Sequence, residues 1–517
     1  MGSYVAEPNY DQVRIEVAKR ADDPNKVKGD LLEDLGRELV ATMQFDVTKS
    51  VRVTASELDL HCQHRRNPRK VLVECKAHQS GLAADVLHKL SGKVDFHEFD
   101  EGWLFSTGPL GRDAEGYRLE WESKPEERRR KLTIYTPSRL VDALVQARLA
   151  VLPPVALASE VFPSNSLGEW TLLVTPLGRF WCVQVVASGL PSFAALLDAS
   201  NGQPVRDSSV LERVRELETT FGKHQIELVT WPTANTHLTP TALPNIVHVQ
   251  QGESWRDYRP SRPQDFVGRT DESGELLTLL KKVREGSTKT RVFAITGNSG
   301  MGKSSLIASL RNRAENKRHR GWLHFVAVDV RAARGPAYMM GALQQALAGA
   351  AKTAGLDDTA VRIQSASNPI DGPILELLEG LQAQQRVVCL VFDQFEEIYT
   401  RPDLFPLFES LHSLCLSTAG AQTSLVLGFA WKSDATVHQE HPAYYLWQQI
   451  ADHRMEVHLQ RLDSAACSLA VTRMERELGR KVSRRLRRHV IQQSDRLPWW
   501  LRKLLVHVYD ESHRRSP

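Results

Sequence analysis

The sequence predicts a multidomain α/β protein, and three observations support this prediction. Between residues 255 and 450, short apolar strands alternate with helices, which is typical of a parallel sheet covered by helices. Residues 25–150 also alternate helix and strand patterns, whereas residues 155–250 contain a hairpin around Pro176-Leu177-Gly178 and predict a small α+β domain. The rest of the chain is helical and basic. We therefore expect four segments, at residues 1–150, 151–250, 251–455 and 456–517.

The composition limits the class of protein. The chain has 517 residues, of which 42% are hydrophobic and 25% charged, and this is ordinary for globular domains. Its six cysteines are scattered without a C-x-x-C pair, so we expect no disulfide scaffold or zinc ribbon and a reducing compartment. No stretch approaches 18 apolar residues, and the first residues do not resemble a secretion signal. We expect a soluble, cytoplasmic protein without a membrane partner.

The strongest motif lies in the third segment, where an apolar strand at residues 292–296 is followed by G-x-x-x-x-G-K-S. The glycines allow a tight turn, so that backbone N–H groups can converge on phosphate oxygens at the start of a helix. A glycine-rich turn that binds nothing is the disfavoured alternative, because strand, loop and helix are all in order. The predicted nucleotide-binding residues are Gly297, Asn298, Ser299, Gly300, Met301, Gly302, Lys303, Ser304 and Ser305.

Within this loop, we expect Lys303 to reach the β- and γ-phosphates and Ser304 to ligate Mg²⁺. A second apolar strand ends in Asp393, whose carboxylate can hold the same Mg²⁺ from the tip of a neighbouring parallel strand. Glu396 or Glu397 could polarise the attacking water. The alternative is that these acids only complement the dipole of a helix start. Their combination with the glycine-rich loop favours the nucleotide site.

Three segments resemble the STAND class of P-loop NTPases: DFVGRTDE at 265–272, GNSGMGKSS at 297–305 and LVFDQFEE at 390–397. The resemblance implies a P-loop α/β NTPase with a C-terminal helical subdomain, and ATP and Mg²⁺ as cofactors. It also implies that the FVGR segment lines the adenine pocket through Val267, Gly268 and Arg269.

Two positions depart from the STAND pattern. Lys432 stands where the family usually has an arginine sensor, and it keeps the positive charge without the planar guanidinium. The segment DRLPWW at 495–500 resembles the helical G-x-P motif, with Arg496 in place of glycine. We expect the pair Trp499-Trp500 to lie in the core. The run at 479–493 predicts a basic amphipathic helix, either a solvated face or a DNA contact.

A weaker pattern lies between residues 28 and 80. A helix carries Glu33, strands are expected to end at Asp59, and a further strand carries Glu74 and Lys76 on one face. Asp59 and Glu74 could together hold Mg²⁺, which lowers the pKa of its bound water, and Lys76 would orient or deprotonate that water. The alternative is a strand face with a cross-strand salt bridge.

This order of helix glutamate, strand aspartate and E-x-K strand resembles the PD-(D/E)xK nuclease fold, and in particular the Mrr-type restriction endonucleases. The resemblance implies a restriction-endonuclease-like α/β domain that cuts double-stranded DNA. It makes Asp59, Glu74 and Lys76 the catalytic set, with Glu33 as the helix acid. The turn between the two strands is basic, and it could contact phosphates or be solvated: Arg65, Arg66, Arg69 and Lys70.

The two resemblances together imply a nucleotide-gated DNA endonuclease of a prokaryotic antiphage or conflict system. In such a system, ATP and a separate sensor or trigger protein drive homo-oligomerisation and activate the nuclease. Two alternatives stay open: an NTP-dependent restriction-type enzyme, and a STAND switch or adaptor with an inactive nuclease domain.

Overall fold

The structure is a computed structural model that describes residues 13–53, 56–78, 81–162, 166–232, 243–358, 361–370, 372–433 and 442–514. The composition of residues 231–245, rich in Pro, Thr and Asn, predicts a linker, and most of this stretch lies outside these ranges. The chain divides into two units: residues 1–242 with 364–367, and residues 243–363 with 368–517.

The first unit contains ten strands and eight helices within its described residues. They are β1 (Arg14–Val17), α1 (Lys26–Thr42), β2 (Phe45–Val53), β3 (Ser56–His64), β4 (Lys70–Lys76), α2 (Ala84–Phe96), β5 (Glu101–Ser106), α3 (Arg112–Glu122), α4 (Glu126–Arg129), β6 (Leu132–Tyr135), α5 (Pro137–Gln146), α6 (Val155–Val161), β7 (Leu167–Thr175), β8 (Gly178–Ala187), β9 (Leu190–Asp198), α7 (Ser208–Arg215), α8 (Thr220–Lys223) and β10 (Glu227–Leu228).

Strands β2 to β6 form one sheet in sequence order. Strands β2, β3 and β4 are antiparallel, and β4, β5 and β6 are parallel. Helices cover both faces of this sheet. For this reason consecutive residues of β4 are buried on both faces, and buried residues do not alternate with exposed ones. Asp59 is inside β3, which continues to His64, so the expectation that the strand ends at Asp59 was wrong. The pairing of β3 with β4 carries the strand past this position.

The second sheet of this unit has the order β1-β7-β8-β9-β10. The predicted hairpin is confirmed, because Thr175 pairs with Gly178 between antiparallel β7 and β8. Strand β1 pairs with β7, so a strand from segment 1–150 belongs to the sheet of segment 151–250. The two sheets share one hydrophobic core. The sequence at 208–221 predicts a single helix, and the structure instead has two helices there, α7 and α8.

The second unit contains five strands and ten α-helices within its described residues. They are α9 (Thr270–Arg284), β11 (Val292–Gly297), α10 (Lys303–Glu315), β12 (Leu323–Asp329), α11 (Ala337–Ala354), α12 (Pro373–Ala383), β13 (Val387–Asp393), α13 (Glu397–Thr400), α14 (Phe405–Ala421), β14 (Leu425–Lys432), α15 (Pro442–Gln449), β15 (Arg454–His458), α16 (Ser464–Leu478), α17 (Arg484–Gln493) and α18 (Pro498–Arg514).

The predicted parallel sheet is confirmed, with the order β12-β13-β14-β11-β15. Every residue of β13 is buried, as expected for a central strand covered on both faces. This topology places the carboxyl ends of β11, β13 and β14 at one edge, where the glycine-rich loop follows β11. Helices α16, α17 and α18 have a smaller core of their own. No helix in the described part of the chain is long and apolar enough to cross a membrane.

Candidate functional site

Strands β3 and β4 bring three of the predicted nuclease residues together. The backbone N–H of Cys75 donates a hydrogen bond to Oδ2 of Asp59 at 2.7 Å and ties the aspartate to β4. The Lys76 ammonium lies 2.6 Å from Oε1 of Glu74 and 4.0 Å from Oδ2 of Asp59. One lysine therefore stands between two carboxylates from adjacent strands.

Burial and neighbouring charges compete in this cluster, where only 8% of Glu74 is exposed. Burial raises the pKa of Asp59 above its ordinary value, and the charge of Glu74 adds to this effect. Burial also acts to raise the pKa of Glu74, but Lys76 and Lys93 outweigh it and leave that pKa lowered. The pKa values of the two carboxyl groups are therefore shifted in opposite directions, and Glu74 is the more readily ionised of the two.

The protonation of Lys76 bears on its role. Burial acts to lower the pKa of Lys76, but the charge and hydrogen bond of Glu74 outweigh it, so that the pKa is raised. A protonated ammonium can orient water or stabilise negative charge, but it cannot accept a proton. This arrangement favours the orienting role over deprotonation.

Glu33 approaches the cluster from α1. Its carboxylate is 3.7 Å from the ammonium of Lys49 on β2, and 14% of its side chain is exposed. Burial raises the pKa of the Cys75 thiol well above its ordinary value, and the charges of Asp59, Glu33 and Glu74 add to this. Glu33 is thus close enough to act electrostatically on the strand that carries Glu74, and these carboxylates and burial disfavour the thiolate form of Cys75.

Two lysines near the cluster were missed in the sequence. Lys93 on α2 contacts Glu74 Oε2 at 2.9 Å, and Lys49 on β2 contacts Glu33. Neither belongs to a short motif, and both reach the site through the packing of elements distant in sequence. In the sequence, only the position of Lys93 directly before Val94, a buried residue of α2, indicates that this lysine lies near the core.

The carboxylates of this cluster supply some, but not all, of the ligands that a hard cation such as Mg²⁺ needs. In the described ranges, no group of three or more His, Cys, Asp or Glu side chains could hold a metal ion. Asp59 and Glu74 nevertheless surround one positive charge, Lys76, and Mg²⁺ commonly uses one or two carboxylates with waters and substrate phosphates. The Cys75 carbonyl is a further possible ligand.

The basic turn between β3 and β4 is partly held by neighbouring side chains. Arg69 pairs with Glu101 at 2.5 Å and lies over the ring of Trp103. Arg65 pairs with Asp46 at 2.9 Å. These contacts give the two arginines structural partners.

The glycine-rich loop has the geometry that its sequence predicts. Gly300 and Gly302 have φ angles of 79° and 92°, in the left-handed region that favours glycine. Lys303 begins α10, and its ammonium donates to the carbonyl oxygens of Gly297 at 2.7 Å and Asn298 at 3.2 Å. These bonds hold the Lys303 charge inside the loop, where phosphate oxygens would converge.

Asp393 ends β13 beside this loop. It accepts a hydrogen bond from the Ser304 hydroxyl, and it lies in register with Asp329 at the end of β12. Burial raises the pKa of Asp393 to about 6, and the charges of Asp329 and Glu396 contribute. Gln394, also missed in the sequence, places its amide nitrogen 3.3 Å from Ser304 Oγ. The paired hydroxyl and carboxylate fit the Mg²⁺ of a bound nucleotide.

Glu396 and Lys432 complete this edge of the sheet. Lys432 ends β14 opposite Gly297, and its ammonium lies 3.4 Å from Glu396 Oε1. Glu396 is only 4% exposed, and its Oε2 has no hydrogen-bond partner among the described residues. Glu397 is less buried and begins α13. The geometry therefore favours Glu396 over Glu397 as the group that acts on water.

A cavity of about 100 Å³ lies between the FVGR segment, the loop and the helical subdomain. Arg269 anchors it, donating to the Met301 carbonyl at 3.0 Å and to the Gln460 carbonyl, and pairing with Glu272. Gly268 has a φ of 68°, and a Cβ there would be 2.9 Å from that of Ala466. The cavity lining includes Trp255, Val267, Arg269, Met301, Gly302, Ser305 and Arg502.

The expectation that Trp499 and Trp500 lie in the core was wrong. Trp499 and Trp500 are 41% and 44% exposed. The buried side of α18 contains Leu501 and Leu505, which are one turn apart, and the two tryptophans lie outside this side of the helix. The Trp499 N–H instead donates to the Gly300 carbonyl at 3.2 Å, so the tryptophan backbone contacts the glycine-rich loop.

The folds of several solved structures resemble this chain at low identity. The Walker-type ATPase of Pyrococcus abyssi is 17% identical, over 51% of this chain and 75% of that one, with a TM-score of 0.36. Domain III of the Thermotoga maritima replication initiation protein DnaA is 13% identical, over 50% and 92%, with a TM-score of 0.30. The Aeropyrum pernix ORC1 protein, solved with DNA, is 14% identical, over 51% and 65%, with a TM-score of 0.33.

Sequence matches to families are more specific. No curated protein matches the chain. The family model Mrr_cat, described as Restriction endonuclease, matches residues 24–124, which contain Glu33, Asp59, Glu74 and Lys76. The model described as Novel STAND NTPase 1 matches residues 254–515, just over half of the chain, including the glycine-rich loop and the helical subdomain. The chain therefore belongs to the Novel STAND NTPase 1 family and carries an Mrr-type restriction endonuclease domain before its NTPase domain.

Proposed function

We propose that this protein is a nucleotide-gated, Mg²⁺-dependent DNA endonuclease of a prokaryotic defence system. The observation that carries the proposal is the Lys76 ammonium between Glu74 and Asp59, in a chain that also has a complete phosphate-binding loop. In this proposal residues 1–150 cut DNA, residues 251–455 bind ATP, and residues 151–250 and 456–517 are accessory segments.

In the nuclease domain, Asp59 and Glu74 would hold Mg²⁺, which when bound lowers the pKa of a coordinated water. The hydrogen bond from Cys75 to Asp59 fixes the direction of that carboxylate. Lys76 orients the attacking water and stabilises charge on the phosphate, and Glu33 adds negative charge from α1. The substrate is double-stranded DNA.

In the NTPase domain, the loop at 297–305 and Lys303 bind the phosphates of ATP, and Ser304 with Asp393 holds its Mg²⁺. Val267, Gly268 and Arg269 form the segment proposed to hold adenine, and Val267 and Arg269 line the cavity at this position. Glu396 polarises the attacking water, and Lys432 supplies the positive charge of the sensor position.

Gating joins the two activities. ATP binding, together with a trigger or sensor protein, drives homo-oligomerisation and brings nuclease domains together on one duplex. The support is the presence of both domains in one chain and membership of a STAND family.

The test is cleavage of supercoiled plasmid by the full chain with Mg²⁺, with and without ATP. We expect ATP-dependent cleavage that Asp59→Ala and Lys303→Ala each abolish, whereas Asp85→Ala, at an exposed carboxylate on α2, leaves it unchanged. Asp59→Ala should still bind ATP. Full-rate cleavage without nucleotide would refute gating. Cleavage only of long DNA would indicate a translocating restriction-type enzyme, and no cleavage with any activator would indicate an adaptor.

A further inference from the structure

Lys93 contacts the second oxygen of the Glu74 carboxylate in the proposed nuclease site. Its ammonium lies 2.9 Å from Oε2 of Glu74, and only 22% of its side chain is exposed. Lys76 takes the other oxygen, Oε1, at 2.6 Å. Each oxygen of the buried Glu74 carboxylate therefore has its own ammonium partner.

The two oxygens of Glu74 face different directions. Oε1 is on the side of Asp59, because the Lys76 ammonium that contacts Oε1 is also 4.0 Å from Asp59 Oδ2. Oε2 faces α2, where Lys93 lies. A cation shared by Asp59 and Glu74 would use Oε1 in place of the Lys76 ammonium, and Lys93, bonded to Oε2, does not compete for that oxygen.

The position of Lys93 is fixed by the packing of its helix. Leu87, Leu90 and Val94 are the buried side of α2. The helix approaches β5 so closely that a Cβ on Gly102 would be 2.6 Å from Cγ2 of Val94. Because Lys93 directly precedes Val94, its main chain is held by this contact.

We propose that Lys93 is a positioning residue of the nuclease site, which holds Oε2 of Glu74 so that Oε1 is presented beside Asp59 to a divalent cation. The inference rests on the proposed nuclease function. It assigns no contact between Lys93 and the reacting atoms.

Two physical effects of removing Lys93 have opposite signs. If Lys93 only neutralised Glu74, its loss would make the site more negative and would tighten the binding of a cation. If Lys93 orients Glu74, its loss lets the carboxylate rotate and weakens binding, typically about 10- to 100-fold for such supporting contacts. The direction of the change therefore decides the role.

The experiment measures Mn²⁺ binding to the full chain by calorimetry, counting only the site that Asp59→Ala removes. We expect Lys93→Met to weaken this site about 10- to 100-fold. Lys93→Arg, which keeps a charged donor, should recover much of the affinity. The matched control is Lys89→Met, one turn earlier on α2, where the side chain is 71% exposed and pairs with Asp85; it should bind as wild type does.

Cleavage gives a second readout. Lys93→Met should raise the Mn²⁺ concentration needed for half-maximal cleavage more than it lowers the rate at saturating Mn²⁺. Equal or tighter Mn²⁺ binding by Lys93→Met overturns the inference. If Lys93→Met does not fold, Lys93→Ala, which also removes both the donor and the charge, decides by the same criterion. A wild-type chain with neither an Asp59-dependent Mn²⁺ site nor cleavage would refute the proposed function itself.

Discussion

The Lys432 ammonium lies 3.4 Å from Oε1 of Glu396, and Lys432 pairs in the sheet with Gly297, the first residue of the glycine-rich loop. One lysine thus stands beside both the phosphate-binding loop and the glutamate proposed to act on water. Its charge compensates a carboxylate that is almost fully buried, where an unpaired charge would be costly. A lysine can fulfil this role without the planar guanidinium of the arginine usual at this position.

Replacing Glu396 by glutamine should separate ATP binding from hydrolysis. We expect Glu396→Gln to lower ATP turnover about 100-fold or more, the usual contribution of a positioned base, because the amide cannot accept the proton of water. ATP affinity should change little, since the side chain is not part of the phosphate-binding loop. Phosphate release and a nucleotide-binding titration measure the two quantities. If Glu397→Gln is instead the variant that loses turnover, the assignment of Glu396 is wrong.

Lys303 carries the phosphate-binding proposal. Its ammonium is held by the carbonyl oxygens of Gly297 and Asn298, inside the loop that would surround the phosphates. We expect Lys303→Met to weaken ATP binding about 100-fold, which corresponds to about 2.7 kcal/mol. Fluorescence titration with a labelled ATP analogue measures this, with Lys317→Met, an exposed lysine just after α10, as the control. Equal affinity in the two variants would remove Lys303 from the site.

Asp393 predicts a pH dependence of stability. Burial, with Asp329 and Glu396, raises its pKa to about 6, above the ordinary value of 3.8. Its contribution to stability is therefore fully present below the ordinary pKa and is lost as the pH rises through about 6. The loss amounts to at most about 3 kcal/mol at 1.36 kcal/mol per pKa unit. Without nucleotide, Asp393→Asn should raise the melting temperature at pH 8, and should raise it less at pH 5.

The same group should control the binding of Mg²⁺·ATP in the opposite direction. The carboxylate must be ionised to hold the metal, so wild-type affinity should fall as the pH drops below about 6. Asp393→Asn should bind more weakly at pH 8 and show a flatter dependence. Thermal melts and ATP titrations between pH 5 and pH 8 check both directions. A parallel pH profile for wild type and variant would exclude Asp393 as the titrating group.

The parts of both proposed sites that can be read from the sequence are the ones that are local in the chain. Three of these parts are contiguous sequence patterns: the glycine-rich loop, the strand ending in Asp393 and the E-x-K strand. In each of them the local backbone conformation is enough to position the residues relative to one another. Lys93 could not be predicted in this way, because its contact with Glu74 depends on how α2 packs on β5.

The contacts of Arg269 could not be predicted from the sequence either. The resemblance placed it in the adenine pocket, and the structure adds that its guanidinium holds the Met301 and Gln460 carbonyls. The exposure of Trp499 was also unpredictable, since it depends on which stripe of α18 faces the small helical core.

Lys76 is the residue that distinguishes a nuclease site from a salt-bridged strand. We expect Lys76→Met to lower Mg²⁺-dependent cleavage about 100-fold or more, within the range of a group that acts on the attacking water. DNA binding in Ca²⁺ and ATP binding should stay near wild type. The fold should survive, because Lys93 still pairs with Glu74 and prevents an uncompensated buried carboxylate.

The pH profile of cleavage tests the role of Lys76 further. Because Glu74 keeps the pKa of Lys76 raised, the ammonium should persist through pH 9, and wild-type cleavage should not decline there through its deprotonation. Toward acid pH, cleavage should fall earlier than an ordinary aspartate would cause, because burial and Glu74 raise the pKa of Asp59. Plasmid cleavage at saturating Mg²⁺, with a melting curve for each variant, makes the measurement. If Lys76→Met cuts as fast as wild type while folded, the E-x-K strand carries a structural salt bridge, and the nuclease site must be sought elsewhere in the domain.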